Sequence, residues 1–327
     1  MTIEDPLLMV DDLTVEYPTG SRHTPFRAVD SVSFSIGAGE TLGLVGESGS
    51  GKSSIAKAIL HLAPITSGSL KWRGEDITNV TPRSRRNLSA QIQVVFQDPY
   101  SSFNPSRTIE SSLVEMLIPQ PGFSRTTAVQ RATELLDMVG MPTNALTKLP
   151  GEFSGGQRQR IAIARALMVN PSLLICDEAV SALDLSVQAQ VINLIQSIQH
   201  EFGLAVLFIS HDLTVVDHVS QRVMVLYRGR TMETGNAHEV NTQSAHPYTR
   251  LLMEAIPIPD PELSAQRRSR AKPAILTTRS DRACIFAPRC SSATEICETV
   301  APQPVTVRKG HVAVCHHSLS CEPQVNK

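Results

Sequence analysis

The chain has 327 residues, enough for one large domain with an appendage or for two modest ones. It is 41% hydrophobic, so a sizeable core is expected, and 30 Lys+Arg against 31 Asp+Glu leave a net charge of −1, without the basic surplus usual for nucleic-acid binders. Residues 1–5 lack the basic-then-apolar start of a signal peptide, and no stretch approaches the roughly 20 apolar residues of a membrane span; the expectation is a cytosolic chain that meets membranes only through partners.

In chain order, residues 32–36 alternate apolar and polar, as a half-buried strand does. Residues 41–45 are a short apolar run, the pattern of a buried strand. A Gly-rich loop follows, and then helical spacing at Ile55, Ala58, Ile59 and Leu62. Between about 98 and 152 the pattern turns to amphipathic helices at 111–117 and 128–139, separated by Pro and Gly. Residues 155–168 and 187–200 read as helices. Residues 173–176, 204–209 and 223–226 read as buried strands, with a further strand in 229–235. Strands alternating with helices predict an α/β fold with a mostly parallel sheet. Beyond about 240 the character shifts: residues 256–261 are Pro-rich, 262–283 read as a polar linker, and the end of the chain is cysteine-rich.

The chemistry is concentrated at loop positions. Gly46, Glu47, Ser48, Gly49, Ser50, Gly51, Lys52 and Ser53, with Ser54 beside them, satisfy G-x-x-x-x-G-K-[ST] between a predicted strand and a predicted helix. In such a loop backbone N–H groups converge on phosphate oxygens, Lys52 reaches the β- and γ-phosphates, and Ser53 ligates Mg²⁺. Asp177 and Glu178 end a buried strand, where open α/β sheets bind ligands. Asp177 suits Mg²⁺ and Glu178 suits the activation of water, although two acids at a strand end can also be merely solvated. Cys176 reads as a small apolar core residue. Ser154, Gly155, Gly156 and Gln157 start a helix after Phe153, giving either a plain N-cap or a second phosphate cradle. Gln97 and His211 each follow an apolar strand, and each is a candidate for the phosphate site or an ordinary strand-end polar residue.

Taken together, Gly46 to Ser53, Gln97, Ser154 to Gln157, Asp177-Glu178, Ser181 to Asp184 and His211 resemble, in order and rough spacing, the Walker A, Q-loop, signature, Walker B, D-loop and H-loop of ABC-type ATPases. The likeness covers roughly residues 8–240. It implies a P-loop NTPase with a helical subdomain at about 98–165, an ATPase domain over 1–240 and a separate C-terminal region over 241–327. It also implies ATP and Mg²⁺ as ligands, with Glu178, His211 and Gln97 as catalytic residues, and Ser53, Gln97 and Asp177 toward the metal. Tyr17 would stack on adenine, while Ser154, Gly155, Gly156, Gln157 and Asp184 would face the ATP of a second ABC ATPase subunit. The stretches from Asp177 to Val191 and from His246 to Leu252, followed by the cysteine tail, resemble ATP-binding subunits of oligopeptide and dipeptide importers, most closely the second of the two paired subunits. Nickel and glutathione importers share that subfamily. The resemblance implies two transmembrane permeases, an extracytoplasmic binding protein acting indirectly, no nucleic-acid partner, and a peripheral place on the cytoplasmic face of the membrane. A soluble ABC protein acting on nucleic acid or the ribosome is the rival class.

Cys284, Cys290, Cys297 and Cys315 supply four thiolates, the number for a [4Fe–4S] cluster or a tetrahedral zinc. The lack of C-x2-C spacing disfavours zinc, and importer ATPases with similar tails suggest the cluster, in a structural role. Cys321 is a spare candidate; His311, His316 and His317 read as surface residues.

Overall fold

The computed structural model describes residues 6–19, 25–98, 102–255 and 283–318. The N-terminal part runs β1 (Leu8–Tyr17), β2 (Phe26–Ile36), β3 (Thr41–Val45), α1 (Lys52–Ile59), β4 (Ser67–Trp72), β5 (Glu75–Asp76), α2 (Pro82–Gln91) and β6 (Ile92–Val95). Helices α3 (Ile109–Val114) and α4 (Arg125–Met138) follow, then two short 3-10 turns and α5 (Gly155–Leu167). The chain continues through β7 (Leu173–Asp177), α6 (Leu185–Phe202), β8 (Ala205–Ser210), α7 (Leu213–Val219), β9 (Arg222–Tyr227) and β10 (Arg230–Asn236). It ends with α8 (Ala237–Thr242), α9 (Pro247–Glu254), α10 (Glu295–Thr299), β11 (Pro304–Arg308) and β12 (His311–Val314). The linker expected at 262–283, except for its last residue, and the spare Cys321 lie outside the described residues.

The main sheet has the order β11-β12-β10-β9-β3-β8-β7-β6. Its pairs from β9 through β3, β8 and β7 to β6 are parallel, and the β10, β12, β11 edge is antiparallel. The central strands are buried on both faces, so they read as unbroken apolar runs rather than as alternations. In β7, Leu173 and Ile175 enter one core cluster while Leu174 and Cys176 enter the other. Helix α1 and the second sheet, β2-β1-β4-β5, cover the first face; α5, α6 and α7 cover the second. Cys176 is fully buried and burial pushes its thiol up to about 12, as befits a packing residue.

Topology, not sequence proximity, gathers the loops. Val45 lies opposite Ser210 across β3 and β8, Asp177 opposite Ile209 across β8 and β7, and Val95 opposite Cys176 across β6 and β7. The C-terminal ends of β3, β8, β7 and β6 therefore stand in a row, and the segments leaving them carry Gly46, His211, Glu178 and Gln97.

The cysteine-bearing tail joins the main sheet directly. β12 pairs with β10, Glu233 facing Ala313 and Thr234 facing Val312. That register carries His311 inward over Gly235, where an added Cβ would sit 3.2 Å from the imidazole ring. His311 was expected on the surface; instead it is 0% exposed and pairs with the equally buried Glu233 at 2.7 Å. The Glu233 carboxylate also accepts from the backbone N–H groups of Ala245 and His246 and from the Thr249 hydroxyl, so no buried oxygen is left bare.

Candidate functional site

The phosphate loop is shaped by backbone that only glycine tolerates. Gly49 and Gly51 have φ of +76° and +104°. A Cβ on Gly46 would lie 2.2 Å from the Leu226 carbonyl oxygen, and one on Gly51 would lie 2.4 Å from that of Ala28. A Cβ on Gly49 would meet nothing within 4 Å, which leaves that side of the loop open to a ligand.

Lys52 is 3% exposed and folds back over the loop. Its Nζ donates to the carbonyl oxygens of Gly46 at 2.7 Å and Glu47 at 3.0 Å, and lies 3.9 Å from Glu178 Oε1. Burial lowers its pKa, with Glu178 and Asp177 pulling the other way. The Ser53 hydroxyl donates to Asp177 Oδ1 at 2.9 Å. Asp177 is 8% exposed, and its pKa is raised by burial against the Ser53 hydrogen bond. A hydroxyl and a desolvated carboxylate converging from two elements are oxygen donors of the kind a hard divalent cation takes. Glu178 has φ +50°, a left-handed backbone in a non-glycine residue, fixed by its N–H donating to Ile209 and its carbonyl accepting from the Ser181 hydroxyl.

Gln97 leaves β6 exposed, one strand over from Glu178. His211 is exposed between β8 and the Asp212 side chain that caps α7. The Tyr17 hydroxyl donates to Ser54 Oγ at 3.3 Å, bringing the end of β1 against the first turn of α1 despite the long interval in sequence. Glu47 turned out to have a partner that local sequence does not betray: Arg289 grips its carboxylate with two hydrogen bonds of 2.7 and 2.8 Å, and Tyr248 accepts from its N–H at 3.0 Å.

The second Gly-rich segment caps α5 with a reciprocal box: the Gln157 N–H donates to Ser154 Oγ and the Ser154 N–H to Gln157 Oε1. Its two glycines differ. A Cβ on Gly156 would lie 2.3 Å from Val187 Cγ1 of α6, so that glycine permits helix packing, whereas on Gly155 the nearest atom would be 3.8 Å away. Asp184 caps α6, accepting from the Val187 N–H at 3.0 Å, and the Ser186 hydroxyl bond lowers its pKa. Ser154 and Asp184 are both exposed.

In the tail, Cys284 donates its N–H to the Cys297 carbonyl at 2.8 Å, and burial raises its thiol pKa, with Cys297 adding to the rise. Thr294 links the Cys297 thiol to His317, whose N–H donates to Cys315 Sγ at 3.4 Å. The four-thiolate site expected from Cys284, Cys290, Cys297 and Cys315 is not assembled: among the described residues no group of three or more His, Cys, Asp or Glu side chains is placed to hold a metal ion. Nor, among those residues, is any helix long and apolar enough to cross a membrane.

A glycine-shaped loop, a buried lysine and a strand-end Asp–Glu pair on a parallel sheet define a nucleotide-hydrolysing α/β ATPase. Comparison with known proteins narrows the class. Residues 29–181 match the ABC transporter family and residues 232–297 match the oligopeptide/dipeptide transporter C-terminal region. The chain is 44% identical over 298 residues to the oligopeptide transport ATP-binding protein OppF of Escherichia coli, covering 90% of this chain and 87% of that protein. It is 42% identical over 312 residues to a peptide import ATP-binding protein of Brucella ovis, covering 95% and 98%. Among solved structures it resembles the ATP-binding cassette MJ0796, in a dimeric post-hydrolysis state with ADP and Pi, at TM-score 0.64 and 27% identity over 70% of this chain and 98% of that one. The chain belongs to the ABC transporter ATP-binding proteins, within the group that carries this C-terminal region, and it is an ATPase.

The raised pKa of Asp177 yields a test. A carboxyl whose folded pKa lies above its unfolded one contributes stability below the unfolded pKa and loses it as pH rises through the folded pKa. Without Mg²⁺ and nucleotide, Asp177→Asn should therefore melt at or above the wild-type temperature at neutral pH. The wild type should gain on the variant as pH falls through the carboxylate range. Thermal melts of both proteins across pH check this; a variant less stable at neutral pH than in acid relative to wild type contradicts it.

Proposed function

We propose that the chain energises a membrane importer of oligopeptides or dipeptides by binding and hydrolysing ATP. The observation that carries this reading is the coexistence, in one chain, of the Lys52–Ser53–Asp177–Glu178 cluster with the C-terminal region matched at residues 232–297. Nickel or glutathione uptake is the variant in which the same subunit serves another cargo. The partners are a second ATPase subunit, two transmembrane permeases and, indirectly, an extracytoplasmic binding protein, with the chain seated on the cytoplasmic face of the membrane. In this reading residues 1–240 form the ATPase domain, with a helical subdomain at about 98–165, and 241–327 form the importer-type C-terminal region.

Within the site, Lys52 exchanges the carbonyl oxygens of Gly46 and Glu47 for β- and γ-phosphate oxygens, and loop N–H groups from Ser48 to Ser54 cradle the same phosphates. Ser53, Asp177 and Gln97 would hold Mg²⁺, whose chemistry there is neutralisation of phosphate charge. Glu178 orients and deprotonates water, and His211 contacts the γ-phosphate. Tyr17 stacks on the base. The half-buried Gly155, with Ser154, Gly156, Gln157 and Asp184, addresses the ATP of the partner subunit, and in this reading that is why one chain carries two anion-binding helix starts.

Glu178→Gln should keep ATP affinity and lower turnover by about 10²-fold or more, the weight of a general base; wild-type turnover would remove Glu178 from its role. Gly155→Asp puts a carboxylate where the partner's phosphates should sit, so turnover of the paired subunits should collapse while this chain still binds its own ATP. Equilibrium ATP binding and steady-state hydrolysis separate the two effects.

For the tail, the finer reading is a structural [4Fe–4S] cluster, with zinc as the alternative. It is supported by the four thiolates that Cys284, Cys290, Cys297 and Cys315, four of the five tail cysteines, could supply, and by the Cys284 N–H bond to the Cys297 carbonyl. No catalytic step runs through it. Anaerobically purified protein should carry iron and sulfide in equal amounts with broad visible absorbance, whereas zinc alone, or neither metal, refutes the cluster.

A further inference from the structure

Glu47, the second residue of the phosphate loop, is held at three points. Lys52 takes its carbonyl oxygen at 3.0 Å, Tyr248 its N–H at 3.0 Å, and Arg289 its carboxylate through a two-pronged pair of 2.7 and 2.8 Å. The last two holds come from beyond residue 240, outside the span matched to the ABC transporter family. They are built on an aromatic cluster. The Tyr227 and Tyr248 rings lie 4.7 Å apart, Phe286 meets Tyr227 edge-on at 5.4 Å, and the Arg289 guanidinium sits 5.6 Å from the Tyr227 ring centroid. Tyr248 and Phe286 are fully buried, so the platform is rigid. A planar guanidinium stacked on a ring and forked onto a carboxylate fixes both position and orientation.

The three holds differ in one respect. Lys52 must turn toward phosphate when nucleotide binds, so its grip on the Glu47 carbonyl is the one that ATP competes with. The grips of Tyr248 and Arg289 do not face that competition. We infer that Arg289 and Tyr248 are positioning residues for ATP binding: the C-terminal region keeps the start of the phosphate loop in its receiving shape while Lys52 changes partners. The inference rests on the assignment of residues 46–53 as the ATP loop. It adds a function for the C-terminal region within the nucleotide site of its own chain, independent of any metal.

The experiment measures ATP affinity and nucleotide-free melting temperature of the full-length chain. Arg289→Lys keeps the charge but loses the fork, and should raise the Kd for ATP roughly three- to tenfold, the reach of one charge-assisted pair. Its melting temperature should stay near wild type. In a Glu47→Gln background the same Arg289→Lys change should add little, because the two side chains act as one unit. Tyr248→Phe, which deletes only the hydroxyl, should raise the Kd in the same direction. A Kd within twofold of wild type for Arg289→Lys overturns the inference. So does an undiminished effect in the Glu47→Gln background, or affinity losses that merely track falling melting temperature. Failure of the wild-type chain to bind ATP would instead strike the ATP-loop assignment itself.

Discussion

Lys52 carries a charge and has almost no contact with water, and much of the site follows from that constraint. A buried ammonium must be given polar partners or lose its proton. Here the partners are two carbonyl oxygens of its own loop and the nearby carboxylate of Glu178. The loop can offer those carbonyls only because Gly46, Gly49 and Gly51 let the backbone turn back on itself. The carboxylate can reach the lysine only because β3 and β7 flank β8 in the same parallel sheet, with their ends level. Asp177 obeys the same rule with opposite charge: burial raises its pKa, and the hydrogen bond from the Ser53 hydroxyl works against that rise.

Residues that signal through local pattern were legible in the sequence. The expected strand at 41–45 coincides with β3, and the helix expected from 155 starts at Gly155, because a doubly buried strand and a Ser–Gln capping box each announce themselves within a few residues. β1 escaped: its alternation breaks at Asp12, where φ is +49° and the pairing with β2 shifts register. The tail strands escaped because β11 buries no side chain fully and β12 is too short to show a period. His311 looked like a surface residue because its buried partner, Glu233, is 78 residues away. Arg289 was invisible for the same reason, since nothing near it in the chain distinguishes it from a solvated arginine.

The two glycines of the second loop show how adjacent identical residues can answer to different pressures. Gly156 is required by a methyl group of Val187, so it ties the start of α5 to α6 and to the Asp184 cap at that helix's beginning. Among the described residues no atom would come closer than 3.8 Å to a Cβ on Gly155. A residue kept small without an internal reason directs attention outward, to whatever approaches that face. In the first loop the reasons differ again: Gly46 is crowded by the Leu226 carbonyl, whereas Gly49 is required by its left-handed backbone and not by any neighbour.

The grip of Arg289 on Glu47 spans 242 residues of chain. At about 5–20 residues per second, the ribosome makes the arginine roughly ten to fifty seconds after the glutamate. The parallel sheet, α1 and the phosphate loop are complete in sequence long before that. A nascent cassette therefore has its lysine and its glycines in place while the start of the loop is still unfastened, and a stretch made much later finishes a site whose chemistry was encoded earlier. Chains truncated late, or clipped between 255 and 283, would keep every residue of the nucleotide motifs and lose the covalent route by which that final fastening is delivered.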